Sequence, residues 1–531
     1  MRKQLAHREY DVFIAGGGIN GAVSAAALAG MGAAVALVDR GDFAGGTSQE
    51  SSCLVWGGIK YLEGAELRLV RELCRSRNAL LSELPDFVRE TRFLAPHDPG
   101  FRHGAAMLRL GTWLYWWLGG NATRRPAWHG AKALASLEAA LPMGLFDGAV
   151  EYSDGLLSDG DARLVMHFIQ RADDGGAACL NYAELLESSR DPGGKWVLRV
   201  RDGVDGEEFT VKSRVFINAA GPWAGELNEG GGIQTKHRLL LSKGVHLVVR
   251  EIADPSRVLA FFGDDGRLFF VIPFGGRSLV GTTDTRVDHV DEAFVTPGDR
   301  RFILRNLNKR LRLASPLTEA DILSERCGVR PLAVAGHRGH DADLDWMRLS
   351  RRHVVEVDAR RRHLTLFGGK LTDCLNLGAE VVREVRHLGV LTPHAQAEWW
   401  RTSDHETREK FLAMAAPRLS VSAGTRSAQA AWASRLWMRY GAAANQLFPA
   451  LAGGKGAGFE IFPDSEYLWA EAGLARTRDR VVHLDDLLRR RTRLALRFAK
   501  SELAESKPLR ELNRKLFGKD AGAEWERCFG R

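Results

Sequence analysis

DVFIAGGGINGAVSAAALAGMGAAVALVDRGDFAGGTSQESSCLVWGGIKYLE, residues 11–63, begins with an apolar run (Val12, Phe13, Ile14) and a glycine turn. An alanine-rich segment with Ala22, Ala25, Ala26 and Ala27 follows, then a second apolar run, Ala34–Val38, ending at Asp39. Gly16 permits a tight turn, Gly18 lets the backbone approach phosphates, and Gly21 lets helix and strand pack closely. A helix N-terminus offers free backbone N–H groups to a pyrophosphate, and an acidic residue about twenty positions on can grip a ribose 2′-hydroxyl. Alone, GxGxxG is no more than a glycine-rich turn. Bracketed by two strands and a small-residue helix, it predicts a dinucleotide-binding βαβ unit. Asp39 disfavours a 2′-phosphate, which argues against NADP.

Outward from this stretch, the chain of 531 residues has room for about three domains. Its hydrophobic content of 45% and charged content of 26% are those of a folded globular protein, not a disordered or fibrous one. The net charge of +8 suits an anionic substrate, an acidic membrane surface or nucleic acid. No nucleic-acid-binding motif accompanies it, so no nucleic-acid partner is expected. Cys53, Cys74, Cys179, Cys327, Cys374 and Cys528 lack CxxC or metal-finger spacing, which predicts free thiols, a reducing cytoplasmic location and no metal. Arg2 and Lys3 precede only a short apolar run that enters the glycine turn, so a first strand is expected there rather than a signal peptide.

No run of about twenty apolar residues occurs, so a spanning helix is not expected. The segment 107–119, MLRLGTWLYWWLG, gathers Trp113, Tyr115, Trp116 and Trp117 beside Arg109, with Arg124 and Arg125 after it. The first expectation is that these rings pack inside the protein or over the ligand site. The alternative is peripheral contact with headgroups on the inner face of the cytoplasmic membrane.

Further along, helix pattern runs to about Leu84 and again over ARLVMHFIQRADD, and 195–211 alternates as strands. A strand Val215–Asn218 runs into Ala219, Ala220, Gly221, Pro222 and Trp223, small residues that let backbone pass close to a flat cofactor. From Arg238 to Asp284 strands dominate. Beyond about Val390 helix formers take over, predicting a helical domain over 391–531 with a boundary near Leu391–His394 and an internal turn at Gly453–Gly458. The fold class expected is α/β: a Rossmann-like domain within 1–390, interleaved with a mixed-sheet substrate domain (roughly 85–160 and 235–330), plus the all-α C-terminal domain.

Several ordered segments together resemble the FAD-dependent glycerol-3-phosphate dehydrogenases, which belong with the amino-acid-oxidase-like flavoproteins. They are AGGGINGA, GGTSQESS, WGGIKYLE, YSDG at 152–155, FINAAGPW, SKGVHLVV, FFVIPF, VGTTDT, CGVRPL, LFGGKLTD and HLDDLLRRRTRLAL. The resemblance spans nearly the whole chain and implies that the dinucleotide is FAD. It puts Gly16, Gly18, Asn20, Gly21, Asp39, Arg40, Thr47, Ser48 and Gly221 along the cofactor, and Gly368, Gly369, Lys370, Leu371 and Thr372 near the isoalloxazine. It further implies oxidation of a secondary alcohol such as glycerol 3-phosphate or another polyol phosphate, with electrons passing to a quinone; a homodimer stays open.

Such an oxidation needs a hydride acceptor, a base and cations for the substrate. His246 is the candidate base, although a histidine in an apolar strand is more often structural. Arg330, in CGVRPL, suits bidentate capture of an anion, a surface ion pair being the plainer reading. Lys370 is a second cation, or else a solvated loop lysine. Cys53, Trp56, Lys60 and Tyr61 are expected around the substrate, where the family has KLIHGGLRYLE against CLVWGGIKYLE here. Cys53 thus stands for lysine, Trp56 for histidine and Lys60 for arginine, and after FGGKLT a Thr-Tyr-Arg run is replaced by Asp373, Cys374 and Leu375. An amine- or amino-acid-oxidising flavoenzyme using oxygen, and a flavin-binding protein without turnover, are the other readings.

Overall fold

The computed structural model describes residues 5–6, 8–100, 103–142, 144–336, 352–390, 398–401, 405–419, 426–453 and 458–530. The strand Glu9–Ala15 lies at the centre of the first sheet, parallel to Val35–Val38 on one side and to Glu208–Asn218 on the other. Ala178–Leu180 and His363–Gly368 extend the parallel order outward, and His353–Asp358 adds an antiparallel edge. Val35–Val38 is buried throughout, as a strand covered on both faces must be. On one face the helix Ile19–Gly30 packs beside Asp161–Asp174 and Cys374–His387, joining Ala22, Leu164, Phe168, Leu377 and Val381 in one core. On the other face an antiparallel layer, Ala183–Arg190 and Trp196–Asp202, closes over Phe13 and Phe216.

The second sheet takes its strands from 54–157 and 237–335 and is mostly antiparallel. His237–Arg250 is its longest pairing surface, bonded to Arg277–Gly281, to Thr285–Val287 and, along nearly its whole length, to Ile322–Ala335. Successive side chains of a strand point to opposite faces. Val245, Leu247 and Val249 therefore turn to the helix Pro297–Arg310 and its Ile303 and Leu307, while Val248 joins the core shared with the first sheet. His246 sits well inside its strand, on the same face as Val248.

After residue 405 the described residues form helices, with a single isolated bridge between Glu460 and Leu468. The boundary expected at Leu391–His394 lies outside the described residues, as does the interior of the turn expected at Gly453–Gly458. Buried ion pairs fasten this helical region to the sheets: Arg439 reaches Asp159 at 2.8 Å and Arg163 reaches Asp479 at 2.6 Å. Arg491 Nη1 reaches Asp42 at 2.7 Å. Charges so deeply buried persist only when paired and hydrogen-bonded, and the arginine-rich HLDDLLRRRTRLAL supplies several of them.

The aromatic segment departs from the expectation of inward packing. In the helix Ala105–Leu118 only Thr112 and Tyr115 are buried, whereas Met107, Leu110, Trp113 and Trp117 face solvent. Tyr115 donates to Asp154 at 2.7 Å, and Asp154 also pairs with the buried Arg77 and accepts from Gly57 N. This network holds the Trp56–Gly58 stretch. All six cysteines are free.

Candidate functional site

A cavity of about 630 Å³ opens along the carboxyl ends of the first sheet, where ligands bind in such folds. Gly16, Gly18, Asp39, Arg40, Thr47, Ser48 and Gly221 all line it. Its floor depends on close backbone approach. A Cβ on Gly21 would lie 1.8 Å from the Gly16 carbonyl oxygen, and one on Gly16 would lie 2.4 Å from that of Ala219. The Asp39 carboxylate accepts from Gly17 N at 2.6 Å and Gly41 N at 2.8 Å, which fixes the turn around it. Burial lifts its pKa to about 6 despite these bonds. Arg40 stacks its guanidinium over Trp223, 4.3 Å from the ring centroid.

The hydroxyl of Ser48 accepts from Ile19 N, at the first turn of the helix Ile19–Gly30, and that of Thr47 donates to Val329 O. Both residues also line a second cavity of about 260 Å³, so the two form one elongated cleft. Asn20 lines neither; its amide donates to Gly368 O at 2.9 Å and ties the first helix to the late glycine turn. A long ligand with a pyrophosphate at the glycine turn and a flat ring at Gly369–Thr372 fits this cleft.

The second cavity brings together His246, Arg330, Lys370 and Trp56, with Gly369, Leu371 and Thr372 beside them. The register explains the grouping: His246 pairs with Arg326, Gly244 with Gly328, and Ser242 with Arg330. Directly opposed residues share a face. Space for Arg330 exists because position 244 is glycine, where a Cβ would come within 2.1 Å of the guanidinium. Arg330 bonds Thr282 Oγ1 at 3.1 Å and pairs with Asp284 at 3.2 Å.

His246 is 2% exposed and neither ring nitrogen has a hydrogen-bond partner. Burial, then the charges of Arg326 and Arg330, hold its pKa well below the usual histidine value, so the imidazole is neutral. A buried neutral base with both nitrogens unbonded is poised to accept a proton from a ligand. Lys370 Nζ donates to Tyr61 OH at 2.9 Å and lies 4.3 Å from the Tyr61 ring centroid and 5.8 Å from that of Trp56. Trp56 in turn contacts Phe270 edge-on. An aromatic wall thus holds one cation at the cavity, a favourable arrangement for ammonium and π faces.

Three of the residues expected around the substrate, Cys53, Lys60 and Tyr61, do not line this cavity. Cys53 is 2% exposed and takes a hydrogen bond from Arg326 Nη1 on its sulfur, because its backbone adopts φ +58° and turns the thiol into the core. Lys60 and Tyr61 lie on the turn Ile59–Leu62, and neither lines the cavity. Tyr61 touches two lining residues, Lys370 and Trp56. Asp373 also faces away, accepting from Ser76 Oγ and from His353 Nδ1.

Residues outside the expected set complete the two cavities. Phe270, in FFVIPF, and Thr282, in VGTTDT, also line the second cavity. Arg352 lines it too. Arg490 lines the first cavity while pairing with Asp42, its signal being the run of arginines in HLDDLLRRRTRLAL.

A family model described as FAD dependent oxidoreductase matches residues 11–369. The chain belongs to this family. It is similar to the D-erythritol 1-phosphate dehydrogenase of Brucella abortus, 31% identical over 394 residues, covering 73% of this chain and 75% of the relative. It is also similar to an aerobic glycerol-3-phosphate dehydrogenase of Staphylococcus saprophyticus, 32% identical over 390 residues, covering 72% and 68%. In fold it is similar to the glycerol-3-phosphate dehydrogenase from Bacillus halodurans complexed with FAD, with a TM-score of 0.73, 24% identity and coverage of 99% and 94%. The cofactor is therefore FAD, the enzyme is an FAD-dependent oxidoreductase, and the fold is α/β with a C-terminal helical region.

Proposed function

We propose that this oxidoreductase oxidises a secondary alcohol of a phosphorylated polyol, with glycerol 3-phosphate and its four-carbon analogue erythritol 1-phosphate as the leading substrates. The observation that carries the reading is the neutral, unbonded His246 in a cavity shared with the cations Arg330 and Lys370. His246 takes the hydroxyl proton of the substrate as the carbinol hydrogen leaves as hydride. Bound FAD supplies the acceptor for that hydride. Arg330 and Lys370 hold the phosphate and offset charge developing on the oxygen. Trp56 and Phe270 exclude water from the reacting carbon and shape the space for the polyol chain. Asp39 is the ribose ligand in this reading, and the glycine turn with Thr47 and Ser48 receives the phosphates.

The second sheet is read as the substrate-binding part within 1–390, and 391–531 as a helical domain set against it. Electrons leave to a quinone or another acceptor at a membrane surface. The exposed apolar face of the helix Ala105–Leu118 supports a peripheral contact. Among the described residues no helix is long and apolar enough to cross a membrane.

The test is anaerobic titration of the yellow holoenzyme with glycerol 3-phosphate, erythritol 1-phosphate, their unphosphorylated parents, hydroxy acids and amines. Bleaching of the flavin by a phosphorylated polyol, and not by its parent, is expected. Bleaching by amines with peroxide formation in air would move the assignment to amine oxidation. Flavin that resists the entire panel would mark a protein without turnover.

A further inference from the structure

A third cavity, of about 450 Å³, shares no lining residue with the cleft. Arg92, Arg124, Arg125, Glu151, Ser256 and Arg257 line it. Arg92 and Arg257 are register partners on adjacent parallel strands, an arrangement in which like charges oppose sheet formation. The one carboxylate of the lining is already engaged: Glu151 Oε2 takes Arg92 Nη2 at 2.8 Å and His129 Nε2 at 3.1 Å. Arg124 pairs with Glu90 and Arg257 Nη2 meets Asp254 at 3.3 Å, both partners lying outside the lining. Arg257 Nε and Nη1 are buried with no hydrogen-bond partner. Buried donors left without acceptors cost free energy, and an anion carrying several oxygens answers them.

The chain reaches this cavity from the helix Ala105–Leu118. Met107, Leu110, Trp113 and Trp117 are 58%, 65%, 47% and 66% exposed, and their spacing of three or four residues puts them on one helix face. Trp116 links this face to the cavity: its Nε1 donates to Thr123 O at 2.7 Å, Arg125 lies over its ring, and Trp113 meets it edge-on. Arg109, Arg124 and Arg125 are exposed around the same surface. An apolar, tryptophan-rich face rimmed by arginines is complementary to the headgroup layer of an acidic bilayer.

We propose that the cavity binds the phosphate headgroup of an anionic phospholipid while Met107, Leu110, Trp113 and Trp117 enter the same leaflet. The site thereby orients the enzyme on the bilayer. This deepens the membrane contact proposed above and rests on it, independently of which alcohol is oxidised.

The test is flotation of the holoenzyme with vesicles of phosphatidylcholine, alone or with phosphatidylglycerol added. Binding is expected only with phosphatidylglycerol, and about tenfold or more weaker for the double variants Arg125→Gln/Arg257→Gln and Trp113→Ser/Trp117→Ser. Both variants are expected to keep their flavin spectrum and substrate-driven flavin reduction, which excludes misfolding and keeps the two proposals apart. Equal binding to pure phosphatidylcholine, or unchanged binding by the arginine variant, overturns the proposal. Thermal stabilisation by inorganic phosphate without vesicle binding also overturns it, because free phosphate would then be the ligand. Arg125→Gln and Trp117→Ser as single surface variants serve where a double variant loses flavin.

Discussion

The two ends of the cleft are built from different materials. At the pyrophosphate end the wall is backbone brought close by glycines, with Gly21 packed against the Gly16 carbonyl and Gly16 against that of Ala219. At the other end, around His246, the wall is side chains from distant segments: Trp56, His246, Phe270, Arg330 and Lys370. A backbone wall has one solution and leaves a short, contiguous motif. A side-chain wall can be rebuilt residue by residue while the strands beneath it stay the same, which is how one scaffold accommodates different substrates.

The largest effect that can test this comparison falls at the backbone end. Gly21→Val drives a branched side chain into a carbonyl 1.8 Å from the position of its Cβ. Neither the helix nor the strand can give way, so a stability loss of more than about 3 kcal/mol is expected. Absorbance of the purified protein should show no flavin. Full flavin occupancy in this variant would break the claim that backbone proximity builds this end.

At the side-chain end the cofactor should be indifferent to what the chemistry cannot spare. His246→Ala is expected to keep FAD and to lower turnover by about 10²–10⁴-fold, the usual worth of a positioned base. Because burial and the neighbouring arginines depress its pKa, His246 stays neutral as pH falls through the ordinary histidine value. The kcat/KM profile of the wild type should therefore remain flat through about pH 6.5 and fall only below it. A midpoint near 6.5 would mean that the base is some other, unperturbed group. Lys370→Met should raise KM for a phosphorylated substrate by about 10–100-fold with a smaller change in kcat, since it removes a charge–phosphate bond. Equal loss with the unphosphorylated parent would show that Lys370 does not meet the phosphate.

The same contrast explains what could be read from sequence. The glycine turn, Asp39 and the two flanking strands are local in the chain, and the periodicity that marks them is the periodicity that folds them. His246 and Arg330 were recognisable because each sits in a motif. Their meeting is not local, for it depends on the register of two long strands that pairs Ser242 with Arg330 and His246 with Arg326. Cys53 and Lys60 stand beside Trp56 in sequence but not in the cavity lining, for a related reason. Sequence proximity to Trp56 says nothing of the left-handed backbone at Cys53 or of the short turn on which Tyr61 bonds Lys370. Arg490, 448 positions from Asp42, joins the first cavity through a buried pair with that residue that no local pattern announces.

The smallest expected effect concerns how the side-chain end is held in place. His353 opens the strand next to the glycine turn, donating from Nδ1 to Asp373 at 2.7 Å and from Nε2 to Glu380 at 2.9 Å. Both nitrogens can donate at once only in the imidazolium. Burial pulls its pKa down, but the two carboxylates outweigh it and lift the value to about 9. The folded state therefore keeps a proton that the unfolded chain releases near pH 6.5. The stabilisation is complete below about pH 6.5 and is lost as pH rises through about 9, with an amplitude on the order of 3 kcal/mol. In His353→Gln the charge is absent, so the difference in unfolding free energy between wild type and variant should shrink steadily across that window. Because the His353 side chain also backs Gly369, where a Cβ would lie 3.3 Å from its own Cβ, the wild type should lose affinity for a phosphorylated substrate over the same range while retaining FAD. A difference that stays constant from pH 6.5 to 9 would mean that packing, and not the buried charge, sets the turn that carries Lys370.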